Sequence, residues 1–180
     1  MLASPKKVRG FTLIEMVIVI AIIGLTSSIV ITSLSSNRSA RETDRAIHVL
    51  AGALREAQNY ALTGKSVNAA QENCYFAIRF TSATQYTLAN YYRSGGDCTS
   101  YTTISTTTLP SGATFTGFGS YPTVLAFELP RAEVYSATDG ALANLLIAQL
   151  IGVMKSSQTH YLCLYPTGRV EERGTDASCP

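Results

Sequence analysis

Apolar and polar positions alternate along the chain in three distinct rhythms. From Phe11 to Leu34 the residues are mostly Ile, Val, Ala and Leu, with one carboxylate, Glu15, near the start. That run is helix-compatible, and ~20 such residues span a bilayer's hydrocarbon core. Ser35 and Ser36 soften the pattern. From Arg38 to Thr63 the rhythm is again helical: Ile47, Leu50, Leu54, Ala57 and Ala61 recur at steps of three and four, and charged residues fill other positions. Gly64 is a helix stop. From Tyr75 the period becomes two. Phe76, Ile78 and Phe80 fall on one face of "YFAIRF", and "TQYTLANYY" follows after a Thr81–Thr84 turn, predicting a hairpin.

Further strands are predicted downstream. "RSGGDC" is a Gly-rich turn leading into the Thr-rich "SYTTISTTTLP", and "SGATFTGFG" and "TVLAFELP" follow as two more strands. The stretch 141–154 is ambiguous. Thr138 or Asp139 would cap a helix there, whereas the β-branched Ile147, Ile151 and Val153, with Gly152, favour a strand across Leu145–Met154. "HYLCLYP" reads as a returning strand, and "TGRVEE" as a turn with a short last strand. The pattern predicts an α+β chain: residues 1–10 a basic leader, 11–34 a membrane half of one long helix, 35–64 its soluble amphipathic half, and 65–180 a β-rich head.

Charge and composition narrow the function classes. The net +2 becomes slightly negative once Lys6, Lys7 and Arg9 are set aside, so bulk electrostatics do not make the rest a polyanion binder. Arg38, Arg41 and Arg45 lie on one helix face, but acidic neighbours interleave. A solvated or inter-subunit face fits them better than a nucleic-acid or lipid patch. Catalytic motifs such as G-x-S-x-G, a P-loop or H-E-x-x-H do not occur. His48 and His160 are far apart in sequence and read as surface residues. No enzyme, cofactor or metal is expected. The four cysteines, Cys74, Cys98, Cys163 and Cys179, form no C-x-x-C pair. An even count after an export-type segment suggests disulfides in an oxidising compartment. Three pairings are possible. The sequence-local one, Cys74–Cys98 and Cys163–Cys179, is favoured, each bond contributing ~3 kcal/mol by loop closure. Free buried thiols are the alternative.

The opening segment "RGFTLIEMVIVIAIIGL" admits three readings. A cleaved secretory signal accounts for the basic leader, but its apolar core normally lacks acids. A plain membrane anchor leaves Glu15 without a partner. The third reading accounts for the acid: the segment resembles the type IV prepilin signature. The resemblance implies cleavage by a prepilin peptidase between Gly10 and Phe11, with Phe11 as a methylated N-terminus behind the leader charges Lys6, Lys7 and Arg9. It also implies that Glu15 neutralises the N-terminal amine of a neighbouring subunit in an apolar filament core, where a lone charge is costly.

"LPSGATF" and "YPTGRV" are similar to elements of the GspH/FimT family of minor pilins and pseudopilins. That resemblance implies a head of two antiparallel sheets, β-sandwich-like, packed on the second half of the helix in a type IV pilin-like fold. It further implies a structural subunit anchored in the bacterial inner membrane, head outside the cytoplasm. Such a subunit assembles with other pilins or pseudopilins into a type IV pilus or a type II secretion pseudopilus. The alternative is a DNA-binding pilus-tip receptor for transformation. Some similar proteins bind DNA through a G-R-x-R element. Here Gly168-Arg169-Val170-Glu171-Glu172-Arg173 offers Arg169 and Arg173 but sets Glu171 at the second arginine position, which disfavours phosphate.

Overall fold

The computed structural model describes residues 11–138 and 142–180, without the side chains of 28–36 and 138. The leader 1–10, including Lys6, Lys7, Arg9 and Gly10, lies outside the described residues, as does Asp139. One helix, α1, runs Leu13–Thr63, and ten strands follow. The chain divides into two compact units, residues 1–38 and Ser39–Pro180, taken here in turn.

In the first unit every described side chain from Phe11 to Ser27 is exposed. Even the most covered large apolar one, Val19, is 47% exposed. Among the described residues no helix is long and apolar enough to cross a membrane. The expected membrane half, 11–34, falls partly on residues 28–34, whose side chains lie outside the described residues.

In the second unit α1 supplies one wall of the core. Ala46, Ile47, Leu50, Ala51, Leu54, Ala57 and Ala61 are all buried, and all share one face at helical spacing. Thr43 is also fully buried on that face. Its hydroxyl donates to the Ser39 and Ala40 carbonyls at 3.1 and 2.9 Å, which satisfies it without a tertiary partner. The helix ends where Gly64 adopts φ 61°. Gly64 N–H then donates to Ala61 and Lys65 N–H to Tyr60, closing the last free carbonyls.

Two antiparallel sheets complete the core. The first has six strands in the order β3-β2-β1-β5-β6-β7, and the second has four in the order β10-β9-β8-β4. In the first sheet β1 is Asn73–Ser82, β2 Gln85–Ser94, β3 Asp97–Thr108, β5 Thr123–Glu128, β6 Val134–Thr138 and β7 Ala143–Asn144. In the second, β4 is Ala113–Thr116, β8 Gln149–Lys155, β9 Gln158–Leu164 and β10 Val170–Gly174. Phe76, Ile78 and Phe80 on β1, Leu125 and Phe127 on β5, Ile151 and Val153 on β8 and Leu162 and Leu164 on β9 meet the helix stripe in one continuous cluster. Cys74 is bonded to Cys98, and Cys163 to Cys179.

Two features differ from the sequence reading. β6 was not anticipated: its Val134-Tyr135-Ser136-Ala137-Thr138 is short and mixed, and its strand character comes from pairing with β5. The strand expected across Leu145–Met154 begins only at Gln149. Residues 145–148 are instead the crossover between sheets, with Leu145 buried, Leu146 and Ile147 exposed, and Leu145 N–H donating to the Val134 carbonyl at 2.9 Å. Gly152 does not break the strand. It sits in mid-β8 because a Cβ there would lie 2.2 Å from Thr116 Oγ1 and 3.1 Å from the Tyr161 ring.

Leu54 is fully buried at the centre of the helix stripe. Replacing it with Ala is expected to cost ~2–5 kcal/mol in urea-denaturation experiments, against under ~0.5 kcal/mol for Val49→Ala on the exposed face.

Candidate functional site

The first candidate site is the start of α1. Thr12 precedes the helix and caps it. Its hydroxyl accepts from Glu15 N–H at 3.3 Å, while Glu15 Oε2 accepts from Thr12 N–H and from the Thr12 hydroxyl, both at 2.9 Å. This reciprocal pair is a capping box, and it satisfies two orphan donors of the first turn. Sequence reasoning assigned Glu15 only to a neighbour's amine and missed this local role. The T-x-x-E spacing Thr12-Leu13-Ile14-Glu15 was there to be read. Both bonds to the carboxylate use its Oε2 oxygen. Phe11 is 83% exposed beside it.

The second candidate is the turn after β9. Gly168, at φ 81°, closes the turn, and its N–H donates to the Tyr165 carbonyl at 2.9 Å. Arg169 lies over the Tyr165 ring at 4.0 Å and pairs with Glu171 at 3.1 Å. Arg173 bonds Glu171 and Asp176, both at 2.7 Å. The Tyr165 hydroxyl also donates to Glu171 at 3.2 Å. Both arginines singled out for DNA thus converge on one carboxylate, Glu171. The Arg173 guanidinium chiefly, with Tyr165 and Arg169, holds the Glu171 carboxyl below its ordinary value. Ser178 first and Arg173 second do the same for Asp176. Cys179, bonded to Cys163, anchors the segment that carries Asp176 and Ser178 against β9.

A third cluster holds both histidines and corrects the surface reading of His160 alone. His48 on α1 and His160 on β9 both reach Asp44, at 3.5 and 3.2 Å. His48 also pairs with Glu172, which bonds Arg55 at 3.2 Å, and Lys155 pairs with Glu42. The His160 side chain is only 15% exposed. These contacts fasten the helix to the second sheet across its polar margin. Apart from the local His48–Asp44 pair within α1, these pairs are distant in sequence and carry no local signal. Among the described residues no group of three or more His, Cys, Asp or Glu side chains is arranged to hold a metal ion.

Compared with known proteins, the chain matches the prokaryotic N-terminal methylation motif over residues 5–31. That stretch contains Gly10, Phe11, Thr12 and Glu15 and supports a type IV pilin-like precursor, which implies processing by a prepilin peptidase and pilin-type assembly in general. No curated protein and no solved structure matches the chain.

The carboxyls at the second candidate give a pH test. Folding lowers the affinity of Glu171 and Asp176 for protons, so their contribution to stability is complete above their ordinary values of 4.5 and 3.8. It is lost as pH falls through the lower folded values. Arg173→Ala is expected to lower the thermal midpoint at pH 7, and its gap to the unaltered protein to narrow as pH falls through those lowered folded values. A gap that persists undiminished in acid contradicts the assignment.

Proposed function

We propose that this chain is the precursor of a minor pilin or pseudopilin of the GspH/FimT family. It is cut between Gly10 and Phe11, methylated at Phe11 and assembled into, or at the start of, a type IV pilus or a type II secretion pseudopilus. The observation that carries the proposal is the methylation motif over 5–31. The exposed apolar side chains from Phe11 to Leu25 support it, because so long an apolar surface requires a lipid or protein environment. The helix stripe packed on two antiparallel sheets agrees with the head that this family implies.

In this reading the protein works by assembly and not by catalysis. The apolar segment holds the subunit in the inner membrane and later in the filament core, with the head outside the cytoplasm. Two disulfides suit that oxidising side. Glu15 keeps one side of its carboxylate on its own Thr12 and offers the other to a neighbour's Phe11 ammonium. A DNA-receptor function is the weaker reading. Arg169 and Arg173 already share Glu171, so a phosphate would have to displace a carboxylate from each.

Mass spectrometry of the chain recovered from cells with a prepilin peptidase tests the processing. The expected product lacks Met1–Gly10 and carries one added methyl group at Phe11; a mature chain that keeps those residues contradicts the proposal. Glu15→Ala tests the assembly role. Membrane insertion should persist while recovery in sheared filaments falls at least about tenfold, as expected when a buried amine loses its partner.

A further inference from the structure

The outward face of the six-stranded sheet is not the polar surface an antiparallel sheet usually turns to water. Cross-strand register stacks three rows on it. Tyr101, Tyr91 and Tyr75 lie opposite one another on β3, β2 and β1. The next row is Ala89, Ala77 and Ala126, all fully buried. The third is Arg79, Val124 and Ala137. Over this face lies an open trough of about 470 Å³, lined by Tyr75, Tyr91, Tyr101, Arg79, Asp97 and Val124 among others. That volume is within the ~300–1,000 Å³ range of small-molecule sites.

The trough is built and held. Tyr91 and Tyr101 stack with centroids 5.3 Å apart. The Arg79 guanidinium lies 5.0 Å from the Tyr101 ring centroid. Asp97 and Thr99, on the same strand as Tyr101, also line the trough. The Cys74–Cys98 bond ties β1 just before Tyr75 to β3 just before Thr99, which fixes the walls before any ligand arrives. None of this serves the helix core, which lies on the sheet's other face.

We propose that this tyrosine-walled trough binds a neutral saccharide chain, independently of the assembly role. A sugar ring has an apolar C–H face and a rim of hydroxyls. The exposed ring of Tyr101 and the half-buried Tyr75 match the face. The Arg79 fork donates to ring hydroxyls, and Asp97 accepts from them. Two alternatives fit less well. A nucleic acid needs net positive charge, and here the one cation of the lining, Arg79, is balanced by one acid, Asp97. A proline-rich peptide lacks the N–H groups that Asp97 would accept.

The test uses the full chain in a zwitterionic detergent free of sugar headgroups, titrated with cellohexaose, maltohexaose and chitohexaose. With ten Tyr and no Trp, tyrosine fluorescence reports on the trough, and calorimetry gives the affinity. Saturable binding to at least one sugar is expected, weakened about tenfold or more by Tyr101→Ala and less than about threefold by Tyr101→Phe, which keeps the ring. Arg79→Gln should weaken it as well. Tyr101 is exposed, and circular dichroism verifies that its variants fold. Three results overturn the proposal: no binding to any of the three sugars, binding indifferent to Tyr101→Ala, or equal or tighter binding of decathymidine or a decaproline peptide at the same site.

Discussion

The structure of the second unit depends on burying one stripe of α1. Leu50, Leu54 and Ala57 are completely inaccessible, and both sheets meet them. Each large apolar side chain removed from water contributes about 1.5–3 kcal/mol, so this shared stripe is what two otherwise separate sheets have in common. It also fixes the register of the larger sheet. Phe76, Ile78 and Phe80 must face the helix, so the two-residue period sends Tyr75, Ala77 and Arg79 to the far side. The outward trough is thus a geometric consequence of the core.

Charge is handled locally at both ends of the described chain. At the start of α1 a carboxylate is held by the hydroxyl and amide of the residue it caps. After β9, two guanidinia and a phenol are gathered on Glu171. Between them, Asp44 and Glu172 bridge helix and sheet through His48, His160 and Arg55. In each case an acid that sequence alone would leave exposed has become an organising centre. For Glu171 this explains why two nearby arginines do not form a basic patch.

What the sequence disclosed follows from the range of the forces involved. The helix stripe, the hairpin from Tyr75 to Tyr92, the stop at Gly64 and the turn at Gly168 are set by residues within a few positions of one another, so periodicity and glycine placement expose them. β6 is a strand because β5 lies beside it, and 145–148 is a crossover because its neighbours belong to different sheets; neither cause is local. The histidines were read as separate surface residues for the same reason, since Asp44 joins them only after the fold brings β9 to α1. The tyrosine row was hidden in a different way. Each Tyr looked like an ordinary strand residue, and only the register of three strands aligned them. The Thr12–Glu15 box, by contrast, was fully local and was overlooked because a more distant partner had already explained the acid.

That box has a bearing on the subunit before it meets any neighbour. A carboxylate that enters apolar surroundings alone is under pressure to take up a proton or to leave. Here two of its hydrogen-bond donors travel with it on Thr12. In the proposed assembly, a single copy would then not depend on a neighbour's amine to hold its acid in place.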